Sequence, residues 1–241
     1  MKIADGLTIL ELHINNGVYN LVLLSDANCA VLVDTGLPGS GDALKSLLTQ
    51  ANVDAAALSG IILTHQDIDH IGGLPAFLDQ KLKVYAHPSE QPYINGEQQL
   101  IKVKPERMDA ILSQLPEPQR EQFETAFLSG SRNNVTDSLE DGQVLPLAGG
   151  VTVIHTPGHA PGHISLYHEL SRTLIAGDAM VVAGGELHGP VPNFTPDMTT
   201  ALASLGKFAA YPIDTVICYH GGVYRGNANQ RIAELAAQSD K

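Results

Sequence analysis

The order of apolar segments along this chain predicts a layered α/β protein, with helices outside packed sheets. Three observations carry that reading. Short β-branched runs bounded by turn residues alternate with stretches of helical spacing. The 241 residues are 44% hydrophobic, enough for the core of one large domain. No run of eighteen apolar residues occurs, which argues against a membrane span.

The elements follow in order. "VYNLVLLSD" and "NCAVLVDTG" are two strands joined by a short turn. "GSGDALKSLLTQANV" has helical spacing at Ala43, Leu44, Leu47 and Leu48. "LSGIILTH" is a buried strand, "GGLPAFLDQ" a short helix and "KVYAH" another strand. Residues 88–134 change character: they are polar, helix-prone and broken by Pro105, Pro116 and Pro118. They read as a helical insertion or cap within one domain spanning residues 1–241. Strands return as two hairpins, "QVLPLAGGVTVIHT" and "HISLYHELSRTLIAGD". A helix starting near Thr195 or Pro196, the strand "IDTVICYH" and the helix "NANQRIAELAAQSDK" complete the order. Helices outside layered sheets satisfy that alternation.

Fourteen Lys and Arg stand against 26 Asp and Glu, a net charge of −12. A phosphate backbone is repelled on average, so the expected partner is a small molecule and not a nucleic acid. The N-terminus lacks the basic start and apolar stretch of a signal peptide. A cytoplasmic location is expected, with Cys29 and Cys218 as reduced, buried thiols. The oligomeric state is not legible.

Ten histidines are more than structure alone usually requires, and their positions matter more than their number. "THQDIDHIGG" places His65, Asp67, Asp69 and His70 within six residues after a strand. "HTPGHAPGHIS" places His155, His159 and His163 around a turn. "AGDAM" puts Asp178, and "CYHGG" His220, at two further strand ends. Alone, each has a plain explanation: a structural histidine, or a turn aspartate. Together they deliver His and Asp from several strand ends, the way rigid elements build metal sites. His13, His87, His168 and His188 have no such context and read as structural or surface residues.

With these residues in view, the chain resembles the metallo-β-lactamase-fold hydrolase superfamily. That family's pattern is His-x-His-x-Asp-His, then a later His, a bridging Asp and a final His. His65, Asp69 and His70 match the first motif, His159 the next His, Asp178 the bridging Asp and His220 the last. "VDTG" around Asp34 also resembles a family feature. The resemblance runs from about residue 17 to residue 225. It implies a four-layer αββα sandwich of two mixed sheets with helices outside. It also implies two divalent metal ions, zinc first, in a groove at one sandwich edge. Site one would be His65, Asp67 and His159; site two Asp69, His70 and His220; Asp178 would bridge them.

The chain departs from the pattern at Asp67, where the family has histidine. Carboxylates are ordinary ligands for divalent metals. Three of them and a bridging hydroxide formally cancel the charge of two divalent ions, whereas histidine would leave the cluster positive. The extra carboxylate weakens the Lewis acid and opens the site to manganese or iron.

The implied chemistry is hydrolysis of a small ester, lactone or thioester, with Asp69 as the catalytic carboxylate. His163 and Asp34 are candidates to contact the ligands or substrate, and Gly72 and Gly73 to allow close backbone approach. Tyr93, Lys102, Lys104 and Arg132 are the insertion residues that an anionic substrate could meet. The short segment after His220 argues against a close relative of glyoxalase II. Two alternatives share the fold: a mononuclear iron oxidoreductase of the sulfur dioxygenase type, and a metal-binding module without catalysis.

Overall fold

The computed structural model describes residues 1–14, 16–130 and 132–240. The first sheet contains β1 (Lys2–Ala4), β2 (Leu7–Ile14), β3 (Gly17–Ser25), β4 (Ala30–Val33), β5 (Gly60–Ile62), β6 (Lys83–Ala86) and β7 (Asp137–Ser138), in sequence order. It starts antiparallel and turns parallel from β4 onward. The second half supplies β8 (Val144–Leu145), β9 (Val151–His155), β10 (Ile164–His168), β11 (Thr173–Gly177), β12 (Val181–Ala183), β13 (Glu186–His188), β14 (Thr215–Cys218) and β15 (Gly222–Arg225). Its sheet runs β15-β14-β11-β10-β9-β8, with β12 and β13 as a separate hairpin.

Period-two burial shows how the layers stack. On β3 and β4, Val22, Leu24, Val31 and Val33 face inward. There they join Val153, Ile164, Leu166, Ile175 and Ile217 from the other sheet in one apolar cluster. The alternate residues Leu21, Leu23 and Leu32 face outward, onto Leu44 and Leu48 of α1 (Gly41–Gln50). On the far side, Tyr167, Leu174 and Val216 meet Leu205 of α6 (Met198–Leu205) and Ile232 of α7 (Ala228–Ala236). Three apolar layers between two sheets and two helical flanks make an αββα sandwich. Strands buried on both faces explain the continuous apolar runs.

Along the chain, α2 (Ile68–Ile71), α3 (Gln91–Ile94), α4 (Pro105–Leu112) and α5 (Glu117–Phe127) come between α1 and α6. The last three fall in residues 88–134. Met108, Leu112 and Phe123 anchor them in the first outer layer.

Some expectations change. Strands β1 and β2 were not anticipated, although β2 pairs with β3 along its whole length. "GGLPAFLDQ" holds only a 3-10 turn, Leu74–Phe77, with a proline at its start. The cap of α6 is Asp197, whose side chain accepts from Thr200 N–H. Cys29 and Cys218 are both free thiols, as expected, but only Cys218 is buried. No described helix is long and apolar enough to cross a membrane.

Parallel pairing sets the site's position. β4 pairs parallel with β5, and β11 with β14. Their carboxyl ends lead to Asp34, His65, Asp178 and His220, the edge where open α/β sheets present ligand groups. Two backbone links stitch the sheets there: Ile164 N–H to Thr64 O at 3.0 Å, and Asn20 N–H to Tyr219 O at 2.9 Å.

Candidate metal centre

The site begins at Asp34. Its φ of 62° is left-handed, a conformation aspartate tolerates better than most residues. The buried carboxylate accepts from Thr64 N–H at 2.8 Å, from Thr64 Oγ1 at 2.8 Å and from His70 Nδ1 at 2.9 Å. Thr35 donates N–H and hydroxyl to His70 O at 2.7 and 2.8 Å. The "DTG" turn therefore holds the motif helix by side chain and backbone. Gly72 and Gly73 permit this contact: a Cβ on Gly73 would lie 2.1 Å from Thr35 O, and one on Gly72 2.2 Å from Pro38 N.

These contacts decide the histidine tautomers. A carboxylate only accepts, so His70 carries its proton on Nδ1. Thr64 Oγ1 donates to Asp34 and thus accepts from His65 Nδ1 at 3.0 Å. Thr195 Oγ1 donates to Val191 O and accepts from His159 Nδ1 at 3.2 Å. In His65 and His159 Nε2 is left as a bare lone pair, the form that binds a metal. Burial opposes charge on His70, but Asp34 and then Asp178 outweigh it and lift its pKa well above the usual range. In the apoprotein its Nε2, 3.5 Å from Asp178 Oδ1, therefore carries the proton that a metal would replace. His163 is turned the other way. Its Nε2 accepts the backbone N–H of Asp178 at 3.0 Å, and its Nδ1 pairs with Thr156 Oγ1 at 2.8 Å. It holds the Asp178 turn and stays neutral, because burial and then His65 and His159 push its pKa well down.

The seven expected ligands converge in two sets: His65, Asp67, His159 and Asp178, and Asp69, His70 and His220. Asp178 Oδ2 is 3.3 Å from His159 Nε2 and 3.5 Å from His220 Nε2, while its Oδ1 is 3.5 Å from His70 Nε2. It thus stands between the sets. Asp67 is not too short to reach its set: Oδ2 lies 3.3 Å from His65 Nε2 and 3.2 Å from His159 Nε2. Asp69 Oδ2 is 3.3 Å from His220 Nε2.

The donor set fits a divalent ion on two counts. Donors around a tetrahedral ion with bonds of about 2.0–2.2 Å stand roughly 3.3–3.6 Å apart, close to the separations found. In addition, His65 Nε2, His70 Nε2 and Asp178 Oδ1 are buried with no hydrogen-bond partner among the described residues. Each such group costs about 1–3 kcal/mol if left unmatched.

Charges in the apoprotein balance one another. Burial and then the nearby His70 push His65 down to about 4. Burial opposes charge on His220 too, but Asp178 and Asp69 outweigh it and lift it to about 9. Asp178 stays ionised despite burial because His70 and His220 hold its pKa well below the usual range.

Comparison with known proteins decides the family. Residues 14–220 match the metallo-β-lactamase superfamily. The chain belongs to that superfamily. It is 33% identical to a probable metallo-hydrolase of Bacillus subtilis, YflN, over 97% of this chain and 90% of that protein. It is 30% identical to a hydroxyacylglutathione hydrolase of Cupriavidus taiwanensis, over 82% of this chain and 60% of that protein. Among solved structures, a metallo-β-lactamase family protein of Thermus thermophilus superposes with a TM-score of 0.73 at 26% identity. That match covers 99% of this chain and 81% of the other. The chain is a metallo-hydrolase of the metallo-β-lactamase superfamily.

Several contributors had no signal in the sequence. Thr64 and Thr195 orient ligand rings. Tyr219 stacks on His70 at 3.8 Å between ring centroids and donates its hydroxyl to Asp69 O. Buried Glu90 accepts from Gln66 N–H at 2.8 Å and from Gly162 N–H at 2.6 Å, joining the two loops of the first set. Lys102, one of the insertion residues expected to be able to meet an anionic substrate, instead has its Nζ 2.6 Å from both Asp67 Oδ2 and His159 Nε2. Beyond it opens a pocket of about 340 Å³, with Leu37, Val103, Ile111, Met180 and Phe194 among its walls. Arg107 also lines it and has no ion-pair partner among the described residues. Of the histidines left out of the ligand set, His168 is a buried structural group bonded to Ala148 O and Ser171, and His87 stacks on His155 at 4.0 Å.

Proposed function

We propose that this metallo-hydrolase cleaves a small ester-like bond, in a lactone, ester or thioester, at a centre of two divalent ions. The observation that carries the reading is the convergence of seven donors in two sets around Asp178, with unmatched buried lone pairs aimed between them. His65, Asp67 and His159 would hold one ion, Asp69, His70 and His220 the other, and Asp178 both. Zinc is the first candidate; the additional carboxylate of Asp67 suits manganese or iron as well. Bound there, the ions would supply Lewis-acid polarisation and a water of lowered pKa.

The chain's residues do the rest. Asp34 and Thr195 keep the lone pairs of His65, His70 and His159 directed at the centre. Asp69 is the catalytic carboxylate, with an oxygen at the pocket floor able to orient a nucleophile or take its proton. The apolar walls exclude water and suit an apolar acyl group. Arg107 would meet an anionic group on the same molecule. Relatives named hydroxyacylglutathione hydrolases support including a thioester among the substrates to test.

The test is metal analysis of protein purified without chelator, with a panel of lactone, thioester, phosphodiester and β-lactam substrates. About two ions per chain and chelator-sensitive cleavage of an ester-like member are expected. Absence of stoichiometric metal, with none regained on reconstitution, would refute the reading. A mononuclear iron oxidoreductase is the competing reading, because Lys102 already stands in the first donor set. Bound iron and oxygen uptake with a persulfide would favour it over hydrolysis.

A further inference from the structure

The carboxylate of Asp67 has a cation of its own. Lys102 lies between α3 and α4, and its side chain is only 15% exposed. Its position is set from the metal loop itself: Gln66, between His65 and Asp67, accepts Ile101 N–H on Oε1 at 2.8 Å. That bond delivers the next residue to the centre. The ammonium then donates to Asp67 Oδ2 and to His159 Nε2, both at 2.6 Å. An ammonium has no lone pair, so His159 can only accept, using the same Nε2 that a metal would need.

We propose that Lys102 is a tethered cation that competes with metal for the first donor set, so that the two sites fill in order. Among the described residues the set of Asp69, His70 and His220 holds no lysine or arginine, so an ion there displaces ring protons to solvent and not a tethered cation. It takes the first ion without displacing a side chain. A second ion can use Asp67 and His159 only when the Lys102 ammonium leaves them, because one lone pair cannot serve both and two cations repel at that distance. The swap gives up two hydrogen bonds of the charged kind, each worth about tenfold in affinity. This inference rests on the metal-dependent reading above and adds an order of loading and its cause.

The experiment is a calorimetric titration of Mn²⁺ into the full chain stripped of metal, wild type against Lys102→Met. EPR follows coupling between the two ions. Wild type should show two separated steps. In Lys102→Met the second step should tighten by about a hundredfold, since both bonds to the ammonium are gone, while the first step is unchanged. Equal second constants in the two proteins, or a weaker one in the variant, would overturn the competition. If neither protein takes up any ion, the metal-dependent reading itself falls.

A second measurement needs no variant. Acetylation of Lys102 in the wild type, read by mass spectrometry, should be unaffected by the first equivalent of metal and rise with the second. Labelling insensitive to the second equivalent would overturn the proposal.

Discussion

Replacing Asp34 by asparagine tests the idea that tautomers prepare the centre. Asparagine also tolerates the left-handed φ of 62°, so the backbone can remain. The amide oxygen can still accept from Thr64 N–H, but the amide nitrogen donates where the second carboxylate oxygen accepted. That oxygen takes protons from both His70 Nδ1 and Thr64 Oγ1. With a donor facing it, His70 Nδ1 must accept, and its ring proton moves to Nε2, where the metal lone pair was. Thr64 Oγ1 keeps only the longer bond, 3.0 Å to the remaining oxygen, and holds His65 less firmly. Changes to groups that orient a metal-binding histidine typically cost 10–100-fold in affinity, about 1.4–2.7 kcal/mol. His70 loses the acceptor that fixes its tautomer, so a loss at the upper end, about 100-fold, is expected at the Asp69–His70–His220 set. Calorimetric titration of Zn²⁺ into metal-free protein measures it, with thermal unfolding as the folding control. Affinities within about twofold of wild type, in a folded Asp34→Asn protein, would refute the tautomer argument.

Other expectations follow from the same contacts. Glu90→Ala leaves two buried N–H groups unmatched, about 2–5 kcal/mol, or roughly 5–15 °C in Tm for a chain of this size; an unchanged calorimetric Tm would show that Glu90 does not join the loops. Arg107→Ala should raise KM about tenfold for an ester carrying a carboxylate, but leave a neutral analogue little affected; an equal change for both would remove Arg107 from substrate recognition. Burial, and then repulsion from His155, hold His87 down at about 4 against an ordinary 6.5. The unfolded chain therefore binds the extra proton, and His87 lowers stability as pH falls from 6.5 towards 4. His87→Asn should flatten the fall in Tm across that window, and an identical slope would refute the assignment.

The ligand chemistry was legible in the residues. His and Asp are what divalent metals take, and turn residues after apolar runs placed them at strand ends. Seven ligand candidates could be named in order, and the structure brings all seven together. The strands buried on both faces were readable as continuous apolar runs. Strand β2 was missed because its polar residues Glu11 and His13 interrupt the run, and its pairing with β3 compensates for them.

What tertiary structure alone decided lies in non-local pairing. Lys102 meets a carboxylate 35 positions away and a histidine 57 positions away. Nothing in the local sequence distinguishes it from a solvated lysine. Nothing local marks Glu90 either; only the fold brings Gln66 N–H and Gly162 N–H onto its carboxylate. The lone pairs of His65, His70 and His159 depend on where their other nitrogens find partners, and those partners come from separate strands and loops. Residue type sets which metals the centre can hold. Only the packed sheets determine which nitrogen faces it, and which cation already stands in place.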